Sequence, residues 1–299
     1  MQYHVPALLN ESIDGLNIQP DGTYLDLTFG GGGHSREILK HLSKKGRLIA
    51  FDQDEDAFKN SIDDKRFLLV RSNFRFFRNF LKYHKVKSVQ GILADLGVSS
   101  HHFDSPERGF STRFNGPLDM RMNRSGKLTA EEVVNTYEKQ KLFELLSVYG
   151  ELPNANKLAG MVCSAREKQP ITSSEQLAEV VGRAFPSHVI NKMLAKVFQA
   201  IRIEVNHEME ALKQMLWQTE KALETDGRLV VISYHSLEDR LVKNFIKTGN
   251  FLGDREVDFF GNTKSTFEQI NRKVIVPTDE ETKSNPRSRS AKLRIGRKL

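Results

Sequence analysis

The stretch that decides the fold is residues 24–35, with the sequence YLDLTFGGGGHS. Its first half is a short apolar run that favours β-structure, four consecutive glycines follow it, and an amphipathic segment begins at His34. A strand, a glycine-rich turn and a helix in this order open an α/β nucleotide-binding unit. The glycines allow positive φ and let a ligand approach bare backbone, and the first N–H groups of the helix suit an anionic group.

An acidic residue follows the second predicted strand where this kind of fold binds the ribose of a cofactor. The run 47–51 is strand-like and ends at Asp52, about 20 residues after the glycines. The glycine spacing only approximates the dinucleotide fingerprint, and no Walker lysine follows it. S-adenosylmethionine, a nucleoside cofactor without phosphates, therefore fits better than NAD or ATP.

Length and composition limit the class of protein. The 299 residues, 38% of them hydrophobic and 28% charged, predict a globular chain of one large domain or of one domain with an insertion. The single cysteine, Cys163, excludes an internal disulfide and indicates the reducing cytoplasm. We find no leader, no run of membrane-spanning length and no metal-ligand spacing, so we expect neither a membrane nor a metal partner.

The positive charge is concentrated at the C-terminal end. The net charge is +7, and residues 283–299 contain seven basic and no acidic residues: Lys283, Arg287, Arg289, Lys292, Arg294, Arg297 and Lys298. Such a local excess indicates contact with a phosphate backbone. Apolar residues at 291, 293 and 295 alternate with two of these cations, which predicts a strand with a basic outer face.

Three further strands are predicted at 67–70, 91–96 and 228–233. Their carboxyl ends carry Phe74, Asp95, Tyr234 and His235, and ligands bind at this edge of open α/β sheets. Phe74 suits either adenine stacking or the core. Ser236 and Asp239 have the spacing of a capping box, so we interpret Asp239 as part of helix initiation rather than of the chemistry.

The alternation of strands and helices is interrupted in the middle of the chain. Residues 103–122 form a long segment with basic and aromatic residues and no regular pattern, which suits a flipped base and its phosphates. Five helical patterns without strands follow it. We therefore predict an all-helical substrate-recognition subdomain at 104–206, inserted into an α/β domain formed by 1–103 and 207–299.

Seven blocks, in order along nearly the whole chain, carry a resemblance to a known family: DLTFGGGGHS (26–35), DLGVSS (95–100), ERGFS (107–111), GPLDMRM (116–122), FQAIRIEVN (198–206), ISYHSLEDR (232–240) and NPRSRSAKLR (285–294). With these blocks the chain resembles the ribosomal RNA small subunit methyltransferase H family, also called MraW. The resemblance implies a class I, Rossmann-like methyltransferase sheet with an inserted helical subdomain. It also implies N4-methylation of a decoding-site cytidine in 16S rRNA with S-adenosylmethionine as cofactor.

The resemblance also assigns residues. It places the cofactor contacts on Gly32, Gly33, His34, Asp52, Phe74 and Asp95, and a further one on His102, where the family usually has glutamine. Residues 111–115 depart from the pattern that is common in the family. This departure affects the expected details of substrate contact and not the expected reaction.

The predicted catalytic residues are Asp95, Tyr234 and His235, and the predicted substrate contacts are Arg108, Phe110, Asp119, Arg121, Arg287 and Arg289. Asp95 ends a buried strand beside the cofactor loop, where it would position either the methionine end of the cofactor or the target amine. Both roles remain open at this point.

The expected partner is 16S rRNA or the small ribosomal subunit, and the oligomeric state, a dimer included, is left open. Two other classes share parts of the pattern: a nicotinamide-dependent oxidoreductase, and a non-catalytic RNA-binding factor on a Rossmann-like fold.

Overall fold

The computed structural model describes residues 6–98, 100–255 and 265–299. The chain divides into two compact units. The first comprises Met1–Gly97 together with Met209–Leu299, and the second is Val98–Glu208. Each unit has its own hydrophobic core, and we describe them separately.

The first unit is built on a seven-stranded sheet with the order β3-β2-β1-β4-β5-β7-β6. Its strands are β1 (Thr23–Asp26), β2 (Arg47–Asp52), β3 (Phe67–Arg71), β4 (Val89–Asp95), β5 (Leu223–Ser233), β6 (Phe267–Gln269) and β7 (Lys292–Lys298). The first five strands pair in parallel, and β7 pairs antiparallel with both β5 and β6. This arrangement confirms the predicted Rossmann-like α/β fold.

The α-helices of the described residues are α1 (Leu9–Leu16), α2 (Gly33–His41), α3 (Phe77–Tyr83), α4 (Ser100–Asp104), α5 (Ala130–Thr136), α6 (Lys139–Val148), α7 (Ala155–Arg166), α8 (Ser174–Gly182), α9 (Ile190–Asn206), α10 (Glu208–Ala222), α11 (Ser236–Thr248) and α12 (Asp279–Ser284). Short 3₁₀ turns lie at Glu55–Asn60, Phe74–Phe76, Pro106–Arg108 and Pro286–Ser290. The segment after β2 forms the first of these 3₁₀ turns and not an α-helix. None of the helices among the described residues combines the length and the apolar character that crossing a membrane requires.

Two hydrophobic clusters cover the two faces of the sheet. Helices α3, α10 and α11 pack on one face, which includes Leu25 and Ile92. Helices α1 and α2 pack on the other face, which includes Tyr24 and Leu93. Because both faces are covered, the central strands are apolar throughout rather than alternating, and β4 reads ILA at its centre.

The second unit is a helical bundle whose core includes part of the predicted loop. Phe110, Leu118, Met120 and Met122 are buried among the helices of this unit. The end of α9 holds the segment, because the Asn206 amide donates to the Met120 carbonyl (2.8 Å) and accepts from the Met122 N–H (2.7 Å). The segment is irregular, as predicted, but much of it is a packed part of the core.

One local prediction at the end of β5 was wrong. The capping box of α11 is formed by His235 and Glu238, one residue earlier than the predicted pair Ser236 and Asp239. Strand β5 also begins earlier than the predicted 228, because Asp226 and Gly227 lie inside it, where the register with β4 is irregular and Asp226 has φ +68°.

Candidate active site

The loop between β1 and α2 forms a cradle that only glycine permits. Gly32 has φ +75°, and a Cβ atom there would lie 2.8 Å from the Phe29 ring. A Cβ atom on Gly33 would lie 2.2 Å from Pro6 Cγ. Gly32 is the N-cap of α2 and provides no capping side chain. The first N–H groups of the helix can therefore donate to an anionic group of a ligand at the loop.

Asp26, the last residue of β1, holds this loop in place by hydrogen bonds. Its carboxylate is 1% exposed and accepts from the Ser35 hydroxyl (2.6 Å) and from the Thr28 N–H (3.1 Å). Burial raises its pKa, and the hydrogen bond from Ser35 opposes that shift. The sequence analysis did not single out Asp26, although an acidic residue inside an apolar strand is itself a signal.

Asp52 ends β2 beside the same loop. One carboxylate oxygen accepts from the Gly30 N–H (2.8 Å) and the other from the Asp54 N–H (2.9 Å). Burial raises the pKa of Asp52 to about 6 against the effect of these hydrogen bonds. Each oxygen retains a lone pair, so the carboxylate can accept from two neighbouring hydroxyl groups.

Asp95 ends β4 and forms the centre of a polar cluster. The Tyr234 hydroxyl donates to Asp95 Oδ1 (2.9 Å), and the Asp95 N–H donates to Thr28 Oγ1 (2.7 Å). Burial raises the pKa of Asp95 to about 7, and the charges of Asp26 and Glu238 add to the shift. Burial and the adjacent Asp95 also raise the pKa of Tyr234 well above its ordinary value, so Tyr234 remains a donor at neutral pH.

His34 lies on the other side of Asp95, at the start of α2. Its Nδ1 is 3.9 Å from Asp95 Oδ2. Burial lowers the pKa of His34 to about 4, so the imidazole is neutral at physiological pH. The Ala7 backbone accepts a hydrogen bond from the imidazole, which opposes this shift. His34 therefore presents a neutral ring beside Asp95.

His235 takes part in capping α11. Its Nδ1 accepts from the Glu238 N–H (3.4 Å), and its Nε2 lies 3.2 Å from Glu238 Oε1. Glu238 is 2% exposed and also accepts from the Tyr234 N–H (2.9 Å). The pair therefore caps α11 and holds the backbone of Tyr234 in place, and the catalytic role of His235 stays a prediction.

Phe74 and His102 were predicted as cofactor contacts. Phe74 is half-buried and packs against the cluster that covers the α3 face of the sheet. This position is compatible both with stacking on adenine and with a place in the core. His102 belongs to the second unit, where it is 5% exposed and its ring centroid lies 4.8 Å from that of Phe110. Phe110 itself is 4% exposed and lies in the core of this unit, and its predicted contact with the substrate stays a prediction.

The two arginines predicted to hold phosphates in this segment are engaged inside the second unit. Arg108 is 2% exposed and donates to the carbonyls of Arg121 (2.9 Å) and Met122 (3.0 Å). Arg121 forms a two-pronged pair with Asp119 (2.9 and 2.6 Å) and donates to two loop carbonyls. Both guanidinium groups stabilise the loop, and the predicted contact of Arg108, Asp119 and Arg121 with the substrate stays a prediction.

The C-terminal cations are divided between paired and exposed groups. Arg294 is 7% exposed and pairs with Asp239 (2.6 Å), and Arg297 pairs with Asp226 and Glu268. The predicted basic face of β7 is therefore largely neutralised. Arg287 and Arg289 lie in the 3₁₀ turn before β7 and are exposed, so their predicted contact with phosphates stays a prediction.

Comparison with known proteins adds an independent line of evidence. Residues 1–299 match the MraW methylase family. The chain is 59% identical over 298 residues to "Ribosomal RNA small subunit methyltransferase H" of Bacteroides thetaiotaomicron, covering 100% of this chain and 98% of that protein. It is 56% identical over 299 residues to the protein of the same name from Flavobacterium johnsoniae, covering 100% and 99%. The solved structure of an rRNA methylase from Streptococcus thermophilus aligns over 99% of both chains with 11% identity and a TM-score of 0.45.

Proposed function

The chain belongs to the MraW methylase family, and from this premise we propose that it methylates the N4 amine of a decoding-site cytidine in 16S rRNA. The family makes it an S-adenosylmethionine-dependent methyltransferase of small-subunit ribosomal RNA. It therefore favours methyl transfer over the nicotinamide-dependent and the non-catalytic alternatives. A cytoplasmic location, where this substrate is found, belongs to the proposal.

The residues of the first unit fit the cofactor. Asp52 would accept from the two ribose hydroxyls, since each of its oxygens retains a lone pair. The glycine cradle and the start of α2, which has no capping side chain, suit the carboxylate of the methionine end. When bound, the cofactor supplies a methyl group activated by a sulfonium.

The observation that carries the N4 assignment is the geometry of Asp95. The cytosine amine is a poor nucleophile because its lone pair is delocalised into the ring, so the enzyme must orient it and accept a proton once nitrogen gains the methyl group. Asp95 Oδ1 is occupied by Tyr234, which fixes the rotation of the carboxylate and leaves Oδ2 as an acceptor. With a pKa of about 7, the group can take up a proton at neutral pH.

The single cysteine supports nitrogen rather than ring carbon as the target. Methylation of a pyrimidine carbon is assisted by a covalent nucleophile that activates the ring. Cys163, the only thiol in the chain, lies on α7 and packs against the hydrophobic core of the helical unit. Asp95 and Tyr234 provide hydrogen-bonding groups and no nucleophile of that kind, which suits transfer to an amine.

Nucleoside mass spectrometry tests the proposal. Unmodified 16S rRNA and unmodified small subunits would each be incubated with the protein and methyl-labelled S-adenosylmethionine, and the modified nucleotide mapped. We expect N4-methylcytidine at one decoding-site position. Label on a ring carbon, on a ribose or outside the decoding region would contradict the proposal. The role of the unit Val98–Glu208 in recognising the substrate stays a prediction.

A further inference from the structure

A second positively charged surface lies in the first unit, far along the chain from the C-terminal cations. Residues 71–88 contain six Lys or Arg residues and no Asp or Glu. This segment leaves β3, forms the turn Phe74–Phe76 and α3, and leads into β4. Because β3 and β4 are parallel, α3 runs from the carboxyl edge of the sheet, where the candidate active site lies, towards the amino edge.

Two of the six cations are engaged and four are available. Arg71 pairs with Glu55 (3.0 Å), and Arg75 Nε donates to the Gln214 side chain (2.8 Å). The other four are Arg78, Lys82, Lys85 and Lys87, and their side chains form no ion pair or hydrogen bond with any residue of the described ranges. The three lysines are exposed. This part of the surface therefore has an unbalanced positive charge, unlike β7.

Aromatic side chains stand beside these cations in an exposed position. Tyr83, the last residue of α3, is 80% exposed, and Phe76, just before α3, is 45% exposed, whereas Phe77 and Leu81 of α3 are buried in the core. The Arg75 guanidinium lies 5.3 Å from the centre of the Phe76 ring. Large exposed aromatics are unusual on a helix that already buries an apolar face, and they indicate a surface that meets a partner.

Helical geometry places the cations and the rings on the two flanks of the exposed side of α3. At about 100° per residue, Arg78 and Lys82 share one row of the helix, and Tyr83, its last residue, lies about 100° around the axis from Lys82. Phe76 lies in the turn immediately before the helix. Cations on one flank and exposed rings on the other match the backbone and the bases of a single-stranded nucleic acid.

From this arrangement we infer that the surface formed by Phe76, Arg78, Lys82, Tyr83, Lys85 and Lys87 binds a single-stranded segment of the RNA substrate outside the catalytic site. The phosphates lie along the cations, and one base stacks on Tyr83. This inference rests on the proposed function, in that the substrate is RNA. It assigns the α3 face of the sheet a role in holding the strand that leads away from the target base.

The test compares two triple variants with the same change in charge. Lys82, Lys85 and Lys87 are replaced by alanine in the first. In the control, Lys40, Lys44 and Lys45 are replaced by alanine; these are also exposed, and they lie on and after α2, which packs on the opposite face of the sheet. The probe is a fluorescein-labelled single-stranded RNA oligonucleotide with the decoding-region sequence, titrated with the full chain at several KCl concentrations.

In the α3 variant, we expect the slope of log binding constant against log KCl concentration to be smaller in magnitude than in the parent. The expected decrease is up to about 2, at about 0.7 per lost single-strand contact. The control should keep the parent slope. Tyr83→Ala should weaken RNA binding by roughly fivefold to a hundredfold, because a stacked base is lost, whereas Tyr83→Phe retains the ring and the affinity. All variants should bind S-adenosylmethionine with the parent affinity in calorimetry.

Equal salt slopes for the α3 variant and the control would overturn the inference, as would parent affinity in Tyr83→Ala. If the α3 variant lost affinity only for assembled small subunits and not for naked RNA, the surface would bind a ribosomal protein, which also overturns it. The proposed function is judged separately, by methyl incorporation with the unaltered protein. The two can therefore fail independently.

Discussion

Replacing Asp95 with asparagine should make the protein more stable and inactive at the same time. The substitution preserves the size of the side chain, and the amide oxygen can still accept from the Tyr234 hydroxyl. It removes a negative charge that burial and the neighbouring Asp26 and Glu238 disfavour in the folded protein. The same charge is the proposed proton acceptor, so its loss should lower kcat by about 100-fold or more.

The size of the stability change follows from the pKa. Burial raises the pKa of Asp95 from 3.8 to about 7. The folded protein thus holds this proton more tightly than the unfolded chain, and the resulting stability is fully present below about pH 4 and is lost as the pH rises through 7. At about 1.4 kcal/mol per pH unit, ionisation at pH 8 costs up to about 4 kcal/mol, which Asp95→Asn would recover in part. At pH 5 the difference should fall below about 2 kcal/mol.

Urea unfolding at pH 5 and pH 8, without cofactor, measures this difference. Asp239→Asn provides the control, because Asp239 is paired with the buried Arg294 and its replacement should destabilise by about 3 kcal/mol. Single-turnover methylation of RNA is measured on the same preparations. The reasoning is refuted if Asp95→Asn is less stable than the parent at pH 8, or if its gain is the same at both pH values.

Two further predictions concern ligand binding. Asp52→Ala should weaken the binding of S-adenosylmethionine at least about tenfold in calorimetry, because each lost hydrogen bond to a charged group is worth about 1.5–3 kcal/mol. As a control, Glu55→Ala on the adjacent surface should leave this affinity unchanged. Equal affinities of the two variants would show that Asp52 does not bind the ribose. The double variant Arg287→Ala and Arg289→Ala should lower the salt slope of RNA binding by up to about 1.4 and leave cofactor affinity unchanged, and a parent-like slope would show that this turn does not contact phosphates.

Most of the sheet and its edge could be predicted because the relevant signals are local. The glycine run, the acidic residue after the second strand and the apolar run that ends at Asp95 are each contiguous in the sequence, and parallel strands bring their carboxyl ends to one edge. The last strand of the sheet order, β6, was harder to predict. Strand β6 has three residues, Phe267–Gln269, too few to show a period.

The fate of the basic residues could not be predicted, since it depends on partners distant in sequence. Arg108 looks like a phosphate ligand in an irregular segment, but it is buried against carbonyls more than ten residues away. Arg294 meets Asp239 only because β7 returns to pair beside β5. A positive charge in a sequence shows that a partner is needed, and it does not show whether that partner is a carboxylate, a carbonyl or a phosphate.

Three carboxylates, Asp26, Asp52 and Asp95, lie at one edge of the sheet. Their ionisation lowers the stability of the ligand-free protein, and the same negative charges favour a cationic ligand. Asp26 pairs in register with Ala50 of β2 and Leu93 of β4, so Asp52 and Asp95 each lie two residues beyond its level on the neighbouring strands. The charge of Asp26 adds to burial in raising the pKa of Asp52 and of Asp95. A ligand with a sulfonium and an ammonium group reverses the sign of the nearest charge, so binding stabilises the ionised carboxylates. In the proposed binding mode, the positive charge of the cofactor therefore offsets the electrostatic cost that these carboxylates impose on the fold.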